Sequence, residues 1–172
     1  MKIELRELQH HDIQDLINYW TKSDPDYLKS LGVDLQKLPP EEGFRGMLEQ
    51  QIKLPYAEKQ NYALIVIFDG VSIGHVNINE IHFGETAKMH LHLWKDEFRR
   101  GGIGVQMIQL AIPLFLEKFE LKKLICEPYA ENEAPNKTLK KVGFKFIKRY
   151  TTVPGSINFE QEVNQWEFSI EG

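Results

Sequence analysis

The 172-residue sequence has one cysteine, Cys126, so it can close no internal disulfide. That excludes the disulfide-stapled secreted scaffolds and fits a reducing compartment. No run reaches the roughly 18 consecutive apolar residues of a membrane-spanning helix, so no membrane partner is expected. The opening stretch MKIELRELQHHD alternates apolar and charged residues and lacks the apolar core of a secretory signal. A cytoplasmic protein is therefore expected. Basic residues are too few for a general nucleic-acid surface: 21 Lys and Arg stand against 25 Asp and Glu, for a net charge of −4. Repeats and low-complexity tracts are also missing. What remains is 42% hydrophobic and 27% charged residues, the balance of an ordinary globular chain. Residues 1–172 fit one domain, large enough to hold a core without metal.

Ile3, Leu5 and Leu8 mark an opening strand. Asp12 is placed to cap a helix whose apolar residues, Ile13, Leu16, Ile17 and Trp20, follow helical spacing. Residues 22–40 contain Pro25, Gly32, Pro39 and Pro40 and read as a loop. Pro39-Pro40-Glu41-Glu42 opens a second helix, with Phe44, Met47, Leu48 and Ile52 inward. Three strands follow, Tyr62–Phe68, Val71–Ile81 and Ala87–Trp94, the first two joined by the hairpin dipeptide Asp69-Gly70. Val105, Ile108, Ile112, Phe115 and Leu116 mark a helix, with a kink expected at Pro113. A short strand at Lys123–Cys126 precedes a helix over Ala134–Val142, stopped by Gly143. Strands at Phe144–Thr152 and Glu162–Ile170 close the chain. The order β-α-α-β-β-β-α-β-α-β-β implies an α/β (α+β) fold. Its sheet is mixed, mostly antiparallel, of about seven strands, flanked by about four helices.

The most informative stretch lies between a strand and a helix, from Trp94 through Phe98, Arg99, Arg100, Gly101, Gly102 and Ile103 to Gly104. Glycines let backbone N–H groups converge, and a helix N-terminus adds unpaired N–H donors with partial positive charge. Together they suit an anionic oxygen such as phosphate. No Gly-Lys-Ser/Thr follows, so this is not a Walker loop, and the spacing is not the dinucleotide G-x-G-x-x-G. Arg99-x-x-Gly102-x-Gly104 resembles the Arg/Gln-x-x-Gly-x-Gly/Ala motif of the GNAT (GCN5-related) N-acetyltransferases. A second segment resembles the same family, from Cys126-Glu127-Pro128 through Asn132 and Asn136 to Lys141-Val142-Gly143-Phe144. The element order along the whole chain is similar to the family's as well.

The resemblance implies acetyl transfer from acetyl-CoA to a primary amine, directly and without an acyl-enzyme. Acetyl-CoA is then the cosubstrate, with no metal. Arg99, Arg100, Gly101, Gly102, Ile103 and Gly104 would cradle the pyrophosphate. His92, Leu93 and Trp94 would offer backbone groups to the pantetheine arm, and Asn132 would hydrogen-bond it. Asn136 and Lys140 are further candidates to touch CoA, although Asn132 also reads as a plain helix cap and Lys140 as a solvated face. Glu127 stands where many members carry a general base, and a strand-end carboxylate beside a cleft is expected to have a raised pKa. Leu139 occupies the position of the family's general-acid Tyr, which leaves the proton donor to the thiolate open. That departure keeps a non-catalytic acyl-CoA-binding module as the alternative.

A hairpin turning at Phe83-Gly84 sets His75 opposite His92 and Asn77 opposite His90. Val76 then faces Leu91, and Ile78 faces Met89, so every pair is like with like. The polar stripe of His75, Asn77, His90 and His92 has three readings: the acceptor pocket, a structurally bonded sheet face, or a metal site, the last disfavoured because no carboxylate–Cys set converges. The amine acceptor is expected to resemble an aminoglycoside, a polyamine, a siderophore precursor or a protein N-terminus. Surplus acidity is expected to draw that cationic amine to the cleft. Dimerisation through the sheet edge is common in the family and stays open.

Overall fold

In a computed structural model, which describes residues 2–170, seven strands form one sheet in the order β1-β2-β3-β4-β5-β7-β6. They are β1 (Ile3–Glu7), β2 (Asn61–Phe68), β3 (Val71–His82), β4 (Thr86–Leu93), β5 (Lys123–Cys126), β6 (Lys145–Thr152) and β7 (Gln161–Ser169). Every neighbouring pair is antiparallel except β4 and β5, which run parallel. The mixed, mostly antiparallel sheet expected from the sequence is the one observed.

Five α-helices cover it: α1 (Ile13–Lys22), α2 (Pro25–Ser30), α3 (Glu41–Lys53), α4 (Ile103–Lys118) and α5 (Glu133–Lys141). The helix α2 and a 3-10 turn at Leu35–Lys37 correct the reading of residues 22–40 as a loop. Asp24 accepts from the Asp26 N–H at 2.7 Å and Pro25 takes the first turn, while Leu28 is buried. A capping carboxylate, a proline where no N–H is needed and one apolar anchor suffice for six residues. Pro113 lies inside α4 without ending it.

Strand alternation divides the core in two. Leu64 and Val66 of β2, Val76 and Ile78 of β3, and Met89 of β4 pack against Met107, Ile108 and Phe115 of α4. On the other face, Ile13, Ile17 and Trp20 of α1 meet Leu28, Phe44, Leu48 and Ile65. The β3–β4 register sets His75 against His92, Asn77 against His90, Val76 against Leu91 and Ile78 against Met89, as the like-with-like pairing requires. The polar stripe therefore lies on the face of α1 and α3, opposite the larger core.

Candidate active site

Chain geometry at the end of β4 builds a glycine turn that leads into α4. After a 3-10 turn at Asp96–Phe98, Gly101 and Gly102 adopt φ of 109° and 86°, the left-handed region that favours glycine. Gly102 is the N-cap of α4, whose hydrogen bonding opens with Gln106 N–H to Gly102 O at 3.2 Å. The N–H groups of Ile103, Gly104 and Val105 therefore precede the helical ladder. A Cβ on Gly101 or Gly102 would meet no atom within 4 Å, so the turn itself is open on that side. Gly104 packs instead toward Thr138 of α5. Arg100 is exposed beside the turn. Arg99 is turned back: its Nε donates to Leu93 O at 3.0 Å, its Nη1 pairs with Asp96 at 2.6 Å, and its guanidinium stacks 3.6 Å over the Tyr27 ring. The side chain thus fastens the turn to the end of β4 through Nε and Nη1.

Beside the turn, β4 and β5 part. They pair only from Thr86–Lys123 to Lys88–Ile125. Trp94 N–H bonds to Ile73 O, so the backbone of His92 and Trp94 faces β3 by strand alternation. That of Leu91 and Leu93 faces the opening toward β5. Of the three residues expected to offer backbone groups there, Leu93 is the one so directed; its carbonyl already accepts from Arg99, and its N–H faces the gap.

On the sheet face above this gap, Tyr19 and Trp20 of α1 pack edge-on against His92, which stacks with His75 at 4.8 Å. Tyr19 Oη sits 2.9 Å from His92 Nδ1 and 3.0 Å from Tyr27 Oη. Trp94 Nε1 donates to His75 Nδ1 at 2.9 Å, and His90 Nε2 meets Asn79 Oδ1 at 3.0 Å. Burial pushes His75 down to about 3 and His90 to about 4, and His92 well below its ordinary range, so all three are neutral at pH 7. Asn77 Oδ1 is buried without a hydrogen-bond partner. The stripe is therefore both structurally bonded and one wall of a cleft of about 640 Å³ between the sheet, α1, α3 and residues 154–158. Among the described residues no cluster could hold a metal ion.

Glu127 follows β5 at the cleft, its side chain 3% exposed. Lys88 Nζ lies 3.0 Å from its Oε1, while its Oε2 accepts from the Tyr150 hydroxyl and from Gln165 Nε2 at 3.1 Å. Burial alone would raise the carboxyl pKa, but the Tyr150, Lys88 and Gln165 contacts outweigh it and hold the group below its usual value. This corrects the expected raised pKa. The expected acidic cleft is corrected too. Glu7 and Glu127 are its lining carboxylates among the described residues, and Glu7 accepts from the Tyr56 and Tyr62 hydroxyls, with Lys118 Nζ 3.9 Å away. The surplus negative charge lies elsewhere.

In the segment after β5, Asn132 is the N-cap of α5 but makes no capping hydrogen bond, and it lines the cleft. Asn136 spends its amide inside the protein. Its Nδ2 donates to Asn132 O at 2.7 Å and Tyr129 O at 3.2 Å, and its Oδ1 accepts from Trp166 Nε1 at 2.9 Å and Asn164 Nδ2 at 3.0 Å. A side chain so saturated has nothing left for CoA, which corrects the expected contact. Lys140 is exposed in the last turn of α5, and Leu139 is fully buried in the larger core. Cys126 donates Sγ–H to Met89 O at 3.0 Å, and burial pushes its thiol up to about 12, which disarms it as a nucleophile. Lys88, Tyr150, Gln165 and Tyr19 were missed as site residues. Period-two alternation carries a signal for Lys88, two residues before His90 on the same face. The others come from distant elements that no local pattern links.

The site thus joins a glycine turn at a helix start, a parted parallel strand pair, and a cleft over the parting with a polar sheet wall and an apolar helix wall. The turn fits an anionic pyrophosphate, since its N–H groups precede the helical ladder of α4, and the strand edge at Leu91 and Leu93 fits an amide-bearing arm. Residues 2–145 match the family model described as acetyltransferase (GNAT) domain, and the chain belongs to this family. It is by class an acetyl-CoA-dependent N-acetyltransferase. The fold is similar to that of a ribosomal L7/L12 alpha-N-protein acetyltransferase (RimL) in complex with coenzyme A, with TM-score 0.81 and 16% identity over 99% of this chain and 96% of the other. It is similar to spermidine N-acetyltransferase from Vibrio cholerae in complex with CoA and spermine, with TM-score 0.79 and 16% identity over 98% and 96%. It is also similar to aminoglycoside acetyltransferase AAC(6')-Ib in complex with coenzyme A and kanamycin, with TM-score 0.74 and 15% identity over 99% and 96%. No curated protein matches the sequence. No helix among the described residues is long and apolar enough to cross a membrane.

Proposed function

We propose that this protein acetylates a primary amine that enters the cleft on the histidine face, while acetyl-CoA enters through the parting of β4 and β5. The observation that carries this is the position of Glu127, which directly follows β5 at that parting and lines the cleft. Bound acetyl-CoA would supply an activated acyl group. The N–H groups at Gly101–Val105, with Arg100 beside them, would hold the diphosphate. The Leu91 and Leu93 backbone and the Asn132 side chain would hold the arm. Arg99 and Asn136 position those groups rather than touching CoA.

The proton route follows from magnitudes. An alkylammonium titrates near 10, so at pH 7 the neutral amine costs about 4 kcal/mol to draw from solution. Direct transfer from the ammonium to a carboxylate at or below its usual value near 4 costs more than about 7 kcal/mol. The amine therefore enters neutral and its nitrogen attacks the thioester carbonyl; as the C–S bond breaks the sulfur would leave with CoA as thiolate and take its proton from water, while Glu127 takes the proton that the nitrogen sheds as it becomes an amide. Cys126 takes no part, and transfer is direct. A cytoplasmic setting is supported by the demand for acetyl-CoA and by the lone thiol.

Thiol release from acetyl-CoA with an amine panel tests this, together with equilibrium CoA binding. Gly102→Glu should abolish CoA binding by filling the turn with a carboxylate. Glu127→Gln should leave CoA binding within about twofold and lower kcat on the order of 100-fold. CoA binding without turnover of any amine, or turnover unchanged in Glu127→Gln, would overturn the reading.

A further inference from the structure

We propose that the acceptor is a small monoamine carried on an apolar, uncharged body, rather than a polyamine, an aminoglycoside or a protein N-terminus. The inference rests on the cleft being the amine site. Its walls are apolar where α1 and α3 line it, with Leu16, Trp20, Phe44, Met47, Leu48 and Ile52. A polycation needs a carboxylate for each buried ammonium, because an unpaired buried charge loses its hydration without compensation. The lining supplies two carboxylates, and neither is free. Glu127 is paired with Lys88 and bonded by Tyr150 and Gln165. Glu7 is bonded by Tyr56 and Tyr62 and faces Lys118. The lining lysines, Lys37 and Lys59, match the two carboxylates in number, so the lining carries no net negative charge to hold a second ammonium. Lys59 is itself spent, its Nζ donating to Gln51 O at 2.5 Å and Ile52 O at 3.3 Å.

The polar groups that remain are neutral. His75, His90 and His92 carry no charge at pH 7, and Asn77 and Asn79 are amides. They suit the hydrogen bonds of one amine nitrogen, while the α1–α3 wall suits an alkyl or aryl body. A cleft of about 640 Å³ is the size that encloses a small molecule. Pro154 is buried and Ile157 packs with the α1–α3 core, so residues 154–158 narrow one side of the cleft, which disfavours a bulky polypeptide acceptor.

The test is calorimetric binding of hexylamine, phenethylamine, spermine, kanamycin and a short peptide with a free N-terminus to the CoA-loaded protein. Acetylation of the same panel is measured in parallel. The monoamines should bind at least about tenfold more tightly than spermine or kanamycin at 150 mM salt, a margin of 1.4 kcal/mol. Met47→Glu, which adds an unpaired carboxylate to the half-buried α3 wall, should narrow that ratio about tenfold or more, with folding checked by thermal melting. Equal or tighter binding of either polycation, or of the peptide, would overturn the proposal. So would a ratio unmoved in folded Met47→Glu. Binding separates this inference from the one it rests on. Monoamine preference without any acetylation would refute the acetyl-transfer reading alone, and efficient acetylation that favours polycations would refute the substrate class alone.

Discussion

Replacing Lys88 by methionine isolates the electrostatics of Glu127. Methionine keeps most of the apolar stem and removes the ammonium. Glu127 then retains Tyr150 and Gln165 on Oε2, but Oε1, which has no well-directed hydrogen bond, loses the cation 3.0 Å away. Breaking a fully buried ion pair costs about 3–5 kcal/mol, because the remaining charge is uncompensated. Lys88 is 25% exposed on its side chain, so water screens part of that, and about 2–3 kcal/mol is expected. Its second partner, Glu80, is 55% exposed and adds little. For a chain of this size the loss lowers Tm by roughly 4–12 °C, read by thermal or urea unfolding at pH 7. The pH dependence has a definite sign. Glu127 titrates below its unfolded value in the native protein, so its contribution is fully present above the ordinary carboxylate range. It is lost as pH falls through the native value. The gap between wild type and Lys88→Met should therefore shrink from pH 7 toward pH 3. A loss under about 0.5 kcal/mol at pH 7, or a gap that does not change with pH, would refute the reasoning. So would additivity with Glu127→Gln, since coupled charges must give a non-additive cycle.

Gly102→Ala should cost about 1–2 kcal/mol, because an L-residue is strained at φ 86°, and should weaken CoA binding, measured by calorimetry, at least tenfold. Gly104→Ala should be nearly silent in both, since its new Cβ would meet Thr138 at an ordinary 3.7 Å. Asn136→Ala strands the Trp166 and Asn164 donors and should cost about 2–4 kcal/mol in urea unfolding, with CoA affinity of the folded fraction unchanged. Lost CoA affinity without lost stability would return Asn136 to the cofactor. Tyr19→Phe removes the hydroxyl between Tyr27 and His92 and should cost about 1–2 kcal/mol by the same assay.

What was legible in the sequence is what backbone geometry imprints on residue type. Left-handed φ at Gly101 and Gly102 demands glycine, so the anion turn is visible as a motif. The β3–β4 register is visible because a one-residue slip would set His75 and His90 against apolar partners. The helix α2 is legible in principle, through Asp24-Pro25 and Leu28, but prolines and a glycine within fifteen residues hide it. Environment leaves no such imprint. The pKa of Glu127 is set by Lys88 of β4, Tyr150 of β6 and Gln165 of β7, which only the strand order brings together. A strand-end carboxylate reads the same in sequence whether it is free or paired.

Net charge fails for the same reason. The −4 total counts every Asp and Glu, whereas an entering amine meets the balance within a few ångströms of the cleft wall. There the two carboxylates are already neutralised by lysines, two of which, Lys88 and Lys118, come from different elements. The acidity inferred from composition thus belongs to the outer surface, where salt screens it and where it has little power to select an acceptor. The proposed monoamine preference would then fall to the apolar wall of α1 and α3 and to histidines kept neutral by burial.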